Sequence, residues 1–177
     1  MENGKLRIKK EKLIHPFEPV VFEDSKILIL GTFPSIKSFE NNFYYSHPRN
    51  QFWEILSIIF NDKKPENIRE KISFLKNHKI ALWDAVCECV RKKGNSRDDN
   101  LEIIKPCNIE NLLKKFPNIE KIAVTSRTAE KVIKKHFVNS QFQILRSPLY
   151  LPSPSPLNAR LKLQQKADKW KKLLELT

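Results

Sequence analysis

The apolar residues of this chain come in short runs, "SKILILGTFPS", "KIALWDAV", "EKIAVTS" and "QFQILRSPL", and the segments between them set their apolar residues at helical spacing. A strand buried on both faces reads as a near-continuous apolar run, and strands that alternate with helices feed a parallel sheet covered on both sides. The first strand is expected over Lys26 to Leu30, cut by Gly31 and Pro34. Phe52, Ile55, Leu56 and Ile59 then recur at helical spacing, and a second helix is expected over Pro65 to Asn77. Asn108 to Phe116 reads as a helix with Asn108 as its N-cap, Thr128 to Phe137 as another, and Leu161, Leu163, Ala167, Trp170 and Leu174 mark a last amphipathic helix. The expected fold is a three-layer α/β/α sandwich around a four-stranded, mostly parallel sheet.

A chain of 177 residues suits one such core. We therefore expect a single domain over 1–177, with residues 1–24 a partly ordered arm and "RKKGNSRDDN" a polar loop. The apolar runs are far shorter than a membrane span, and the N-terminal "MENGKLRIKKEKL" lacks the apolar centre of a signal peptide, so a cytoplasmic protein is expected. With 33 Lys and Arg against 20 Asp and Glu, the net charge of +13 makes DNA or RNA the leading partner; lysine-rich solvated faces are the competing explanation. Cys87, Cys89 and Cys107 have neither zinc-ribbon nor disulfide-framework spacing and are too few for an iron–sulfur cluster, so free thiols are expected.

Ligands of parallel sheets bind beyond the carboxyl ends of the strands. Three segments fall at such ends: "GTFPS", "WDAV" and the proline-rich "LPSPSPLNAR". A fourth, "FYYSHPRNQFW", packs aromatic rings, a histidine, an arginine and an asparagine into one loop. Glycine-rich phosphate loops, paired-histidine zinc motifs and serine elbows are absent from the sequence, and His15, His47, His78 and His136 are scattered. No metal and no cofactor is expected.

Taken in order, "GTFPS", "FYYSHPRNQFW", "IALWDAV" and "LPSPSPLNA" resemble the motifs of the uracil-DNA glycosylase superfamily, most closely its hypoxanthine-DNA (deoxyinosine) glycosylase branch. The resemblance runs from about Ile27 to the last helix. Uracil-specific members hold the attacking water with Asp or Asn two residues after the first motif's glycine, where this chain has Phe33, and many begin the second motif with a histidine, where it has Leu151. The hypoxanthine branch assigns catalysis to an asparagine of the aromatic loop, which maps onto Asn50. A helix cap is the alternative role for that residue.

The resemblance also implies a base pocket. Tyr45 aligns with a stacking aromatic, with Phe33 and Tyr44 as neighbours; packing is their alternative role, and the preferred one for Phe52 and Trp53. Asp84 falls where relatives read the base. An ionised Asp only accepts hydrogen bonds, so it suits the N1–H of hypoxanthine or the N3–H of uracil and repels the bare N1 of adenine. Capping a loop is its alternative. Ser153, Ser155, Ser35 and Asn158 are implied to face substrate or DNA, Leu157 to wedge into the gap left by a flipped base, and Arg49, Arg127 and Arg160 to touch phosphate. The second motif is one residue longer than the common "HPSPLS" form, which leaves the wedge open, and His47 is expected to pack the loop.

The expected function is therefore a monofunctional, monomeric DNA glycosylase that hydrolyses hypoxanthine from deoxyinosine, with uracil as a second base. The alternatives are a uracil or mismatch-specific glycosylase and a catalytically silent DNA-binding module.

Overall fold

The computed structural model describes residues 11–92 and 97–176. Four strands, β2 (Ile27–Gly31), β3 (Ile80–Asp84), β6 (Lys121–Val124) and β7 (Leu149–Tyr150), form an all-parallel sheet in the order β3-β2-β6-β7. Side chains alternate across such a sheet, so one apolar run feeds two cores. Leu28 and Leu30 pack with Ile122 and Val124 against Leu112, Leu113, Val132 and Ile133 of α4 (Ile109–Lys115) and α5 (Arg127–His136). Ile27 and Ile29 pack with Ile80 and Leu82 against α2 (Phe52–Phe60), α3 (Ile68–Asn77) and α7 (Leu163–Trp170), through Phe52, Leu56, Leu75 and Trp170. The expected three layers and four strands are present. Among the described residues, no helix is long and apolar enough to cross a membrane.

A second, antiparallel sheet was not expected. It joins β1 (Lys12–Ile14), β4 (Val86–Arg91) and β5 (Leu101–Pro106) in the order β1-β4-β5. Its strands carry charges between their apolar residues and are only partly buried, so they lack the dense apolar runs of the central sheet. Much of "RKKGNSRDDN" links β4 to β5 and ends in a single 3-10 turn, Asp98–Asn100; residues 93–96 lie outside the described part.

Two expectations are corrected. "QFQILRSPL" is not one strand: its centre is a short helix, α6 (Gln143–Arg146), that buries Leu145, and pairing starts only at Leu149. Pro148 and Pro152 flank the two paired residues, and neither can donate to a ladder, which limits β7 to that length. The cysteines are not all free either. Cys87 and Cys107 form a disulfide with their Cα atoms 4.7 Å apart, and Cys89 alone remains a buried thiol. The partners lie 20 residues apart in sequence, and it is the pairing of Val86 with Pro106 that brings them together.

Candidate active site

Because the four central strands are parallel, their carboxyl ends open on one edge. Gly31 ends β2 and its register partner Asp84 ends β3. The Asp84 carboxylate and the Tyr45 hydroxyl both lie over the glycine: a Cβ there would sit 2.2 Å from Asp84 Oδ1 and 3.0 Å from the hydroxyl. Only glycine admits this close approach.

Asp84 is buried, and its Oδ2 lies 2.8 Å from Nε2 of His15, whose side chain is enclosed as well. His15 reaches this point because β1 pairs with β4, and its own backbone N–H donates to the Cys87 carbonyl (2.8 Å). Around the pair, Phe33 meets the imidazole edge-on at 5.7 Å, and Tyr44 lies tilted at 6.1 Å with its hydroxyl donating to the Glu18 carbonyl (2.9 Å). The Arg91 guanidinium covers the Phe33 ring at 5.6 Å and donates to the Pro34 carbonyl (2.6 Å). Phe33 and Tyr44 are thus buried around the pair.

Tyr45 is held differently. Its φ of 50° lies in the left-handed region, which costs a bulky residue on the order of 1 kcal/mol or more. The ring lies parallel to Phe52, with centroids 3.8 Å apart, and the hydroxyl meets Thr125 Oγ1 at 3.1 Å. Burial, then the Asp84 charge, pushes its phenol well above the usual range, so it stays a neutral hydrogen-bonding group.

Asn50 follows a turn closed by its N–H to the His47 carbonyl (2.8 Å), and its Oδ1 accepts the Phe52 N–H (2.9 Å) at the start of α2. The carboxamide therefore takes the first N–H of the helix, whose N-cap is Gln51, and keeps an oxygen lone pair and its N–H₂ group for other partners. His47 Nδ1 accepts the Arg49 N–H (3.1 Å), shaping the same turn. Next along the chain, the Gln51 N–H donates to the Pro154 carbonyl (3.0 Å), while Gln51 Oε1 accepts from the ammonium of buried Lys166 on α7 (2.8 Å). Burial lowers the ammonium pKa below the ordinary lysine value. The aromatic loop, the second proline motif and the last helix are so tied at one point.

The second motif folds on itself. Ser153 Oγ accepts the Ser155 N–H and Ser155 Oγ accepts the Leu157 N–H, both at 3.2 Å, and Asn158 Nδ2 donates to the Ser153 carbonyl (3.0 Å). Leu157 stands out at 67% exposure. Arg49 and Arg160 are exposed; Arg127 is exposed too, over the Tyr150 ring at 3.5 Å and donating to Glu130 (2.7 Å). Ser35 is the N-cap of α1 (Ile36–Glu40), accepting the Ser38 N–H.

Sequence reasoning passed over several groups at the strand ends. Asp98, from the polar loop, accepts from Thr32 Oγ1 (2.6 Å), which also meets Ser126 Oγ at 2.5 Å. Burial pushes the Asp98 carboxyl up, against the hydroxyls of Thr32 and Ser126 that favour its charged form. His15 sat in a basic N-terminal stretch without periodicity, and Lys166 looked like one more solvated lysine. No local signal marks any of the three. Among the described residues, no group of three or more His, Cys, Asp or Glu is placed to hold a metal.

The site therefore offers a fixed carboxylate, an aromatic ring beside it and a carboxamide at a helix start, which suits positioning a planar base and a water better than nucleophilic attack. The family model for the Uracil DNA glycosylase superfamily matches residues 19–176. A protein of Methanosarcina barkeri named hypoxanthine DNA glycosylase is 42% identical over 80 residues, 45% of this chain and 50% of that one, so the chain spans about half the length of that relative. A protein of the same name from Methanosarcina acetivorans is 30% identical over 114 residues, 64% of this chain and 71% of that one. A solution NMR structure from Methanosarcina acetivorans, provisionally named a uracil DNA glycosylase, superposes with a TM-score of 0.73 over 89% of this chain and 96% of that one, at 24% identity; it speaks for the fold.

Proposed function

The chain belongs to the uracil DNA glycosylase superfamily, and from that premise we propose that it hydrolyses the N-glycosidic bond of a deaminated base in DNA, hypoxanthine first and uracil second, leaving an abasic site for base excision repair. The observation that carries this reading is Asp84, a buried carboxylate at the end of β3 with one oxygen bonded to His15. An acceptor-only group in that position favours a base edge that presents N–H, as deamination of adenine or cytosine creates, and repels adenine N1. The names of the two relatives support the order of preference.

Glycosidic cleavage passes through an oxocarbenium-like sugar while negative charge develops on the leaving base, whose oxo groups delocalise it. Asn50 orients the attacking water through its free lone pair, Tyr45 offers a ring to the flipped base, and Ser153 approaches the nucleotide. A stacking platform of this kind is worth ~1–3 kcal/mol per base. Exposed Leu157 fills the gap in the duplex, while Ser35, Arg49, Arg127, Ser155, Asn158 and Arg160 bind the backbone. The protein acts as a single-domain cytoplasmic monomer without metal or cofactor.

The test is base release from duplexes that carry one hypoxanthine, uracil, xanthine or normal base. Release of hypoxanthine ahead of uracil is expected, with normal bases untouched. Uracil ahead of hypoxanthine would turn the reading to a uracil-specific enzyme, and release of no base would leave a DNA-binding module.

A further inference from the structure

His15 precedes residue 19, where the match to the family model begins, yet its side chain is one of the most enclosed groups at the strand ends. Three features of its setting are unusual together. Its backbone is anchored to β4 through the Cys87 carbonyl, so the ring arrives from a different sheet than the carboxylate it meets. The imidazole and the Asp84 side chain are only 3% and 6% exposed. On its other nitrogen, Nδ1 lies 2.9 Å from the Phe17 carbonyl oxygen and 3.2 Å from the Phe17 nitrogen. Phe17 thus offers an acceptor to a protonated ring and a donor to a neutral one. In the imidazolium and in the neutral Nε2–H tautomer, Nε2 points its hydrogen at Asp84 Oδ2.

The groups that face this pair from the surrounding elements are Tyr44, whose hydroxyl is spent on the Glu18 carbonyl, the Tyr45 hydroxyl beside Asp84, Arg91 on the face of Phe33, and Asp98 across the strand ends. Arg91 lies over the Phe33 ring and donates to the Pro34 carbonyl. Among the described residues, His15 is the one donor bonded to the Asp84 side chain.

We propose that His15 is the positioning residue for base selection: by donating to Oδ2 it holds the Asp84 carboxylate in place and leaves Oδ1 to take the N–H of the deaminated base. This role rests on the reading that Asp84 faces the base. Without that donor the Asp84 side chain loses its one bonded partner among the described residues, and Oδ1 is no longer held toward the N–H of the base.

Two variants separate this role from simple support of the fold. His15→Phe keeps an aromatic ring against Phe17, Phe33 and Tyr44 but removes the donor, and His15→Gln restores an amide donor without the imidazole. Two readouts are needed: the ¹³C resonance of the Asp84 carboxyl at neutral pH, which needs no substrate, and single-turnover hypoxanthine release with duplex affinity measured alongside. The expected result is one Asp84 carboxyl resonance position shared by wild type and His15→Gln and a displaced one in His15→Phe, which lacks the hydrogen bond to Oδ2. With it, His15→Phe loses roughly tenfold or more in release rate, the size of one charge-assisted hydrogen bond, at unchanged duplex affinity, and His15→Gln regains most of it. An unchanged resonance and rate in folded His15→Phe would overturn the proposal. So would equal losses in both variants, which would make His15 a packing residue. A resonance that follows His15 in a wild-type protein that releases no hypoxanthine would overturn the role in selection through the substrate assignment, a failure distinct from an unresponsive carboxyl.

Discussion

The wall of the site and its rim are built on different principles. On the wall, each polar side chain is held by another element: Asp84 of β3 by His15, Tyr45 of the aromatic loop by Thr125 beyond β6, and Thr32 beyond β2 by Asp98 and Ser126. On the rim, Ser153, Ser155 and Asn158 bond within their own loop, and Leu157, Arg49 and Arg160 stand exposed. On the proposed function, geometry that must discriminate one hydrogen atom on a base sits at the strand ends and is held by a second element. On the same reading, charges that only neutralise phosphate tolerate freedom, because their contribution depends on number more than on angle. Changes on the wall should therefore alter which base is released and how fast, and changes on the rim should alter how tightly any duplex binds.

The largest effect is expected at Asn50, where wall and rim meet. Asn50→Ala should abolish base release while costing only about 1 kcal/mol of stability, the worth of the lost bond to the Phe52 N–H. Single-turnover kinetics beside urea unfolding checks both parts. Near wild-type turnover would move the catalytic role elsewhere, with Asp84 next. Gly31→Ala should come second. Its added carbon would sit 2.2 Å from Asp84 Oδ1 and 3.0 Å from the Tyr45 hydroxyl, so both must shift. Displacement of this order costs about a hundredfold in rate, together with ~1–3 kcal/mol of stability. A folded Gly31→Ala protein with full activity would show that neither Asp84 nor Tyr45 needs its present place.

Asp84→Asn tests what the wall selects. A neutral amide replaces the carboxylate, at ~1–2 kcal/mol in transition-state binding, and its N–H₂ can rotate toward uracil O4. The hypoxanthine-to-uracil rate ratio should fall by roughly tenfold, measured in single turnovers on both substrates. An unchanged ratio would reduce Asp84 to a shape of the pocket. Arg160→Ala provides the contrast from the rim: affinity for hypoxanthine-containing and normal duplexes should drop by the same few-fold factor, and the salt dependence should lose about one counterion. A change confined to the modified duplex would break the division between rim and wall.

How much of this was legible in the sequence follows from range. The central sheet declared itself because each of Ile27 to Leu30 is buried, so an apolar run of that density has few other solutions. The helix caps were equally local: Asn108 accepts the Asn111 N–H three residues away, as its position before an apolar period suggested. The candidate residues of the motifs were found through resemblance to a family, which carries information about distant contacts that periodicity lacks. What stayed hidden has long-range partners and no motif. His15 meets Asp84 across 69 residues, Thr32 meets Asp98 across 66, and Lys166 meets Gln51 across 115. A histidine in a basic stretch, an aspartate in a polar loop and a lysine on an amphipathic helix look the same whether buried or solvated. Only the pairing of the antiparallel sheet and the packing of α7 on α2 decide.

Asp98 allows the smallest and most specific test of the wall. Burial raises its carboxyl pKa above the ordinary value of about 3.9, and the hydroxyls of Thr32 and Ser126 only partly oppose this. A carboxyl raised in the folded state binds its proton more tightly there than in the unfolded chain. Its contribution to stability is therefore complete below pH ~4 and is lost as pH rises through the folded value. Above that value the wall carries an ionised group that the fold would rather hold neutral. Asp98→Asn removes that titration, and its amide oxygen can still accept from Thr32 while the N–H₂ donates to Ser126 Oγ. The variant should equal or exceed wild type in stability at pH 7 by up to about 1 kcal/mol, and the difference should shrink or reverse toward pH 4. Urea unfolding of both proteins from pH 4 to 8 measures it directly. A difference that does not vary with pH would mean the two hydroxyls fully offset burial, and one that grows as pH falls would mean they exceed it; in either case the wall would hold Asp98 as a settled anion.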